Sequence, residues 1–338
     1  MPSIARLAET WSWLNARVMP WVSLASGVAF AVLWREGVDG VRAAFVLASL
    51  FGAVTLLVVA PPWRRGAGGG VATWLGEAAW WATVGLAQNA IWFVLPFVVL
   101  ATTWPSRNAP WTLLLVALAV ISCFDLVLRE HLLRRPALTA AFVGPVALTT
   151  LQLFLPVLTG VPPRHTAWAA GALAGPAVVL LVVRRGRPVT MVAATLGAAA
   201  VGAVVGRLAL PLLAPAPMRL VSATFALGRD GLDPVAPVAA LPAGRDEPAY
   251  VFVAVEAPRG LHETVHLVIG DAASRPLAVE GGRAGGYRLW GPVPVPADGT
   301  VETKVLTEGG QLVGRVAAGV GPPAPDPSAP EAPSAAAP

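Results

Sequence analysis

Long apolar runs dominate the first two-thirds of the chain, and short alternating runs replace them afterwards. A bilayer core needs about 20 mostly apolar residues per helix, within a range of roughly 17–25. Seven runs meet that demand, at approximately 18–34, 43–60, 78–103, 110–128, 137–160, 166–183 and 189–213. The third has a possible earlier start, since Val71 to Trp81 is also largely apolar. Glu77 with Trp74, Trp80 and Trp81 predicts entry through the membrane interface. The first run is longer than a signal-peptide core and is followed by Trp34-Arg35-Glu36 rather than a small-residue cleavage site. It therefore predicts an uncleaved helix. Arg6, Trp11, Trp13 and Arg17 ahead of it fit a short surface helix.

Beyond Pro211 the texture changes. Met218 to Leu227 alternates in part, and Tyr250–Glu256, Glu263–Ile269, Pro276–Glu280, Gly286–Trp290, Val301–Thr307 and Gln311–Val320 are short strand-like runs. Asp298-Gly299 and Gly309-Gly310 lie between such runs and predict hairpin turns. About seven strands in roughly 100 residues predict a small β-sandwich. Gly321 to Pro338 is rich in Pro and Ala and predicts a disordered tail. The expected divisions are a cytoplasmic tail (1–17), a seven-helix transmembrane domain (18–214), an extracytoplasmic β-domain (215–320) and the disordered tail (321–338). The fold class expected is a polytopic α-helical membrane protein of about seven transmembrane helices, followed by a C-terminal all-β domain.

Composition agrees with membrane residence. Of 338 residues 56% are hydrophobic and 13% charged, and the mean hydropathy is +0.66. An ordinary soluble domain carries about a quarter charged residues. Lys304 is the only lysine, and the abundance of Arg, Gly, Pro, Ala and Val matches a GC-rich coding bias. The net charge of +5 conceals a split, with +9 over residues 1–214 and −4 over residues 215–338. The arginines of the apolar part fall between its runs, as topology signals do. Nucleic-acid binding would call for a clustered basic face instead.

With seven spans, the N-terminal tail and the even-numbered loops share one side. They hold ten arginines: Arg6, Arg17, Arg64, Arg65, Arg129, Arg134, Arg135, Arg184, Arg185 and Arg187. The odd-numbered loops hold four, Arg35, Arg42, Arg107 and Arg164. The positive-inside rule then places the N-terminus in the cytoplasm and the β-domain outside. Cys123 is the single cysteine, so no intrachain disulfide forms, and its apolar setting suits a buried small hydrophobe.

Polar groups at membrane depth are functional candidates by default. Here each also has a structural reading. Asp125 precedes Arg129 by four residues, the spacing of a helical ion pair. Glu77 is interfacial, Arg207 near the outer end of the last run snorkels, and Gln88 and Asn89 bond across helices. No paired carboxylates line a midplane path, which weakens a proton-coupled transporter. Pro96, Pro145, Pro156 and Pro176 predict kinks, and Gly171-x-x-x-Gly175 and Gly202-x-x-x-Gly206 predict close helix packing.

His262-Glu263-Thr264-Val265-His266 matches H-E-x-x-H, which on a helix binds zinc with the glutamate as general base. The context is a strand: β-branched residues follow, with Pro258-Arg259-Gly260 before and Gly270-Asp271 after. Positions i and i+4 of a strand lie roughly 13 Å apart, so the two imidazoles do not share one zinc. The other histidines, His131 and His165, lie in the membrane half. No metal and no cofactor is expected. Gly281 to Gly286 lacks the Gly-Lys-Ser/Thr ending of a phosphate loop and reads as a connection between strands.

Several separated motifs resemble one family. Ala257-Pro258-Arg259-Gly260-Leu261-His262-Glu263 is one, and Gly281-Gly282-Arg283 through Gly286-Tyr287-Arg288-Leu289-Trp290 is another. Val305-Leu306-Thr307-Glu308 with Gly310 to Gly314 is a third. In the membrane half, Phe93 to Phe97 and Ala101 to Trp104 add to them. Together they resemble the bacterial Domain of Unknown Function 5924 proteins, with a C-terminal part similar to Domain of Unknown Function 2914. The resemblance implies a polytopic membrane region followed by a small domain, and it points to no particular activity.

The β-domain gathers Arg259, His262, Glu263, Arg283, Tyr287, Arg288 and Trp290, and arginine and aromatics are the types enriched at interface hot spots. The alternative is that they staple strands and turns together. The function expected is therefore a non-enzymatic protein of the bacterial inner membrane. It presents the β-domain to the periplasm or exterior, to a protein, lipid or glycan partner. The second reading is a membrane-embedded enzyme or transporter in which Glu77, Asp125, Gln88, Asn89 or His131 converge on a cavity.

Overall fold

A computed structural model describes residues 21, 24–25, 28, 40–59, 71–124, 126–132, 135–182, 188–215, 218–244, 247–259, 261–270, 272–273, 276–283 and 285–321. Six α-helices lie within them: α1 (Gly40–Val59), α2 (Val71–Ala101), α3 (Ala109–Cys123), α4 (Pro136–Thr159), α5 (Pro163–Val182) and α6 (Pro188–Ala209). A π-helical turn, Leu126–Leu132, follows α3, and a 3-10 turn, Leu210–Leu212, follows α6.

Helix α4 is the hub. Pro136 sits in its first turn, where a missing N–H costs nothing. Gly160 closes it in the left-handed region (φ 67°), its N–H reaching the Pro156 carbonyl at 2.9 Å. Phe142, Leu151 and Phe154 are fully buried, and Phe154 meets Phe93 of α2 at 5.7 Å between ring centres. Burial of the most apolar stretch falls from 67% in α4 to 33% in α5 and 6% in α6. Helix α6 is therefore peripheral, and glycine holds it in place. A Cβ on Gly171 would run into the Gly202 carbonyl, and one on Gly206 into the Ala167 carbonyl. The two small-residue patterns face each other across the α5–α6 contact, so the two backbones pack directly against each other.

The expectation of about seven transmembrane helices is overturned. Among the described residues, only Pro136–Thr159, Pro163–Val182 and Pro188–Leu212 are long and apolar enough to cross a membrane. The other apolar stretches are shorter, at Ala44–Thr55, Gln88–Ala101 and Ala109–Cys123. The physical reason is clearest in α3. Its 15 residues rise only about 22 Å, the chain leaves the helix at Phe124, and it resumes as a π turn. The first expected run and Asp125 lie largely or wholly outside the described residues, as do 1–17 and the tail beyond Gly321.

The C-terminal part is β structure. Its strands are β1 (Arg219–Asp230), β2 (Asp233–Val238), β3 (Leu241–Pro242), β4 (Ala249–Glu256), β5 (His262–Ile269), β6 (Ala272–Ala273), β7 (Leu277–Glu280), β8 (Tyr287–Val293), β9 (Thr300–Thr307) and β10 (Leu312–Gly321). Sheet one runs β2-β1-β4-β8, and sheet two runs β3-β10-β9-β5-β6, with β7 also on β5. All pairs are antiparallel except β10 with β3. The inward rows of both sheets share one core, including Val251, Val253, Leu289, Val265, Leu267 and Val305.

All seven strand-like runs are strands. Gly309-Gly310 turns the β9–β10 hairpin, with Gly310 at φ 80°. Asp298-Gly299 is not a hairpin turn: it carries the chain from β8 in sheet one to β9 in sheet two.

Candidate functional site

The register of sheet one builds its outer face in rows. Ser222, Ala254 and Arg288 form one cross-strand row, and Thr224, Phe252 and Trp290 the next. Tyr250 follows, opposite Ala226 and Pro292. The β1–β2 hairpin leans over this face. Asp233 at its tip meets Arg288 (Nη1 to Oδ1, 2.6 Å), although β1 and β4 both lie between β2 and the β8 strand that carries Arg288. Arg229 stacks on Trp290 at 4.1 Å and approaches Tyr250 at 5.8 Å, and the two rings meet edge-on at 5.9 Å. Arg219 and Glu256 pair at 2.6 Å at the other end of the face. The result is an exposed patch of guanidinium groups and aromatic rings.

The expected site residues divide among three places. Arg288 and Trp290 join this face. Tyr287, next to Arg288, points the other way and packs against the core, and Arg283 lies over its ring at 5.6 Å. Arg259 is exposed on the turn before β5. That turn is locked to the glycine run: Gly281 donates to Leu261 O at 2.8 Å and Gly282 to Ala257 O at 2.9 Å. A Cβ on Gly281 would collide with the Pro258 carbonyl, so these glycines serve close approach of two loops.

The H-E-x-x-H residues lie on β5, with His262 exposed, His266 half-buried and Glu263 facing inward. Among the described residues, no three metal-ligating side chains converge.

Glu263 occupies a different setting, the seat of the β structure on the helices. Three separate segments meet there. Arg164, at the start of α5, pairs with Glu308. Gln311 is buried and its Nε2 donates to Leu213 O and Ala214 O, both at 3.3 Å. Arg315 donates to Trp104 O at 3.3 Å, and Leu210 presses on Gly309. Glu263 is 4% exposed. Its Oε1 accepts the Thr264 N–H at 2.9 Å, while Oε2 has no partner. Burial pushes its carboxyl pKa up, against the opposing pull of the Thr264 N–H and the Arg164 charge.

Among the described residues, the polar candidates of the helical part do not converge. Gln88 bonds across to Ser122 O in α3, as a packing contact, while the adjacent Asn89 is exposed. Arg207 is half-buried in the last turn of α6. The side chains of Glu77 and Asp125 lie outside the described residues. A cavity of 490 Å³ between α4, α5 and α6 is lined by residues such as Trp111, Leu148, Val178 and Val205, with no titratable side chain.

Arg229, Asp233 and Tyr250 were not legible as site residues. They arrive through register, and no local motif marks them. No curated protein and no solved structure matches the chain. A family model described as "Family of unknown function (DUF5924)" matches residues 2–233. The likeness of the C-terminal part to Domain of Unknown Function 2914 is not part of that match.

Proposed function

Because the chain belongs to DUF5924, a family of unknown function, we propose a function from its own geometry. It is a bacterial inner-membrane protein whose helices seat a β-domain on the extracytoplasmic side. The outer face of sheet one is its contact surface for a component of the envelope. The arginine and aromatic patch of Arg229, Tyr250, Arg288 and Trp290 is the observation that carries this reading. Such residues combine large contact area with directional polar groups, and they are over-represented at binding hot spots.

Orientation follows from arginines beside the three membrane-length helices. Arg134 and Arg135 precede α4, and Arg184, Arg185 and Arg187 separate α5 from α6. The opposite ends, which bear the β structure, hold Arg164 and Arg207. Positive-inside then favours the β-domain outside the cytoplasm. The contacts of Trp104, Arg164 and Leu213 with the β structure agree that these positions share one end.

The test is cross-linking in cells from a photoreactive residue at exposed Asp230, with and without alanine at Arg229, Arg288 and Trp290. Capture of an envelope component that the alanine changes abolish is the expected result. Retention of every captured partner sinks the proposal. A compartment-sensitive reporter after Val320 tests orientation, and a cytoplasmic signal overturns it.

A further inference from the structure

The leaning β1–β2 hairpin encloses a pocket of 190 Å³ against the outer face of sheet one. Resting on the reading of that face as a contact surface, we propose that this pocket binds one unit of a neutral, hydroxyl-rich ring, a saccharide.

The floor is Phe252 with Ala254, on the row of β4 that faces away from the core. Phe252 is nonetheless only 7% exposed, because the hairpin covers it. Ser222 and Thr224 supply hydroxyls from β1, while Leu232 and Pro234 roof the space. The Asp233–Arg288 ion pair closes one side. It engages Oδ1 and Nη1, so Oδ2 and the other guanidinium N–H groups remain for a ligand.

The chemistry selects among ligand classes. Asp233 already neutralises Arg288, and no other charged side chain lines the pocket. Neither an anion nor a cation finds an unmatched counter-charge. A wholly apolar ligand would cover two hydroxyls and an ion pair without replacing the water they lose, which is costly. A sugar ring meets both demands. Its C–H face suits the Phe252 ring, and its hydroxyls suit Ser222, Thr224, Asp233 and Arg288. The volume is below the roughly 300–1,000 Å³ of pockets for drug-sized ligands, so it suits one ring. Access is built in. The hairpin is held over the face by one exposed ion pair and the cation–π contacts of Arg229 with Trp290 and Tyr250, each weak at a surface.

The experiment uses the full chain in lipid nanodiscs and saturation-transfer NMR. The probes are glucose, galactose, mannose and N-acetylglucosamine, with citrate as the anionic comparison. The expected result is transfer to ring protons of at least one neutral sugar and none to citrate. Thr224→Val and Ser222→Leu leave Arg229, Asp233, Arg288 and Trp290 in place, and each should weaken binding at least about fivefold. Their thermal unfolding should match the parent protein, which separates lost binding from lost folding. Absence of transfer to every neutral sugar overturns the proposal. So does transfer undiminished in both variants, which would place the sugar elsewhere. If sugars fail while cross-links from position 230 still capture a partner, the saccharide pocket falls and the contact surface stands. If sugars bind while every cross-link survives alanine at the patch, the reverse holds.

Discussion

Replacing Gly202 by alanine tests the α5–α6 seam. The new Cβ would run into the Gly171 carbonyl oxygen, and it would lie 3.0 Å from that carbonyl carbon and 3.2 Å from Gly175 Cα. All three are backbone atoms, so no side-chain rotation relieves the clash. A gap of about 0.5–1 Å already forfeits a quarter to a half of a van der Waals contact, and overpacking costs about 1–3 kcal/mol. Alanine also gains about 1 kcal/mol over glycine in helix propensity. Gly197, on the same helix, separates the two effects, because a Cβ there meets nothing within 4 Å. Gly197→Ala should gain only the propensity. The stability difference between the two variants therefore isolates the clash, about 1–3 kcal/mol. Reversible unfolding in mixed detergent micelles measures it. If Gly202→Ala proves as stable as Gly197→Ala, the reading of α6 as held by glycine contacts is wrong.

Three further outcomes are expected. Glu263 keeps its proton to higher pH folded than unfolded, so its contribution is best below the ordinary glutamate value of 4.5 and declines as pH rises towards the raised one. Glu263→Gln removes that decline, and denaturant titrations should show it stabilised near pH 8 but not near pH 4. Gln311→Ala leaves the Leu213 and Ala214 carbonyls without their donor. It should cost about 1–3 kcal/mol and speed protease cleavage between α6 and β1. Gly281→Ala drives a methyl into the Pro258 carbonyl, and thermal unfolding should fall by an amount equivalent to about 1–3 kcal/mol.

Strand positions were legible because alternation and turn glycines are local signals. Strands β2, β3 and β6 were not, since β3 and β6 have two residues each and β2 carries Pro234 and Pro237. Prolines fit there because β2 is an edge strand. Asp298-Gly299 misled because a turn within a sheet and a step between sheets use the same residues. Apolar length was legible in the helical part, but continuity was not, as the break at Phe124 shows.

In the site, Arg288 and Trp290 stood out by residue type. Asp233 lies 55 residues from Arg288 and enters only through the hairpin's lean. Glu263 falls among the candidate contact residues by its neighbours in the sequence, yet it is buried. Its phase with Val265, Leu267 and Ile269 was the signal that it faces inward.

The three-point seat also constrains how the protein is assembled. Its β-side groups, Glu308, Gln311 and Arg315, all lie on the β9–β10 hairpin, the final one of the domain. Their partners at Trp104, Arg164 and Leu213 are synthesised far earlier. The helices thus exist before anything can sit on them, and the seat closes only once that hairpin has left the ribosome. A polypeptide stalled near residue 300 would carry all the described helices and strands β1 to β8 with the two parts undocked.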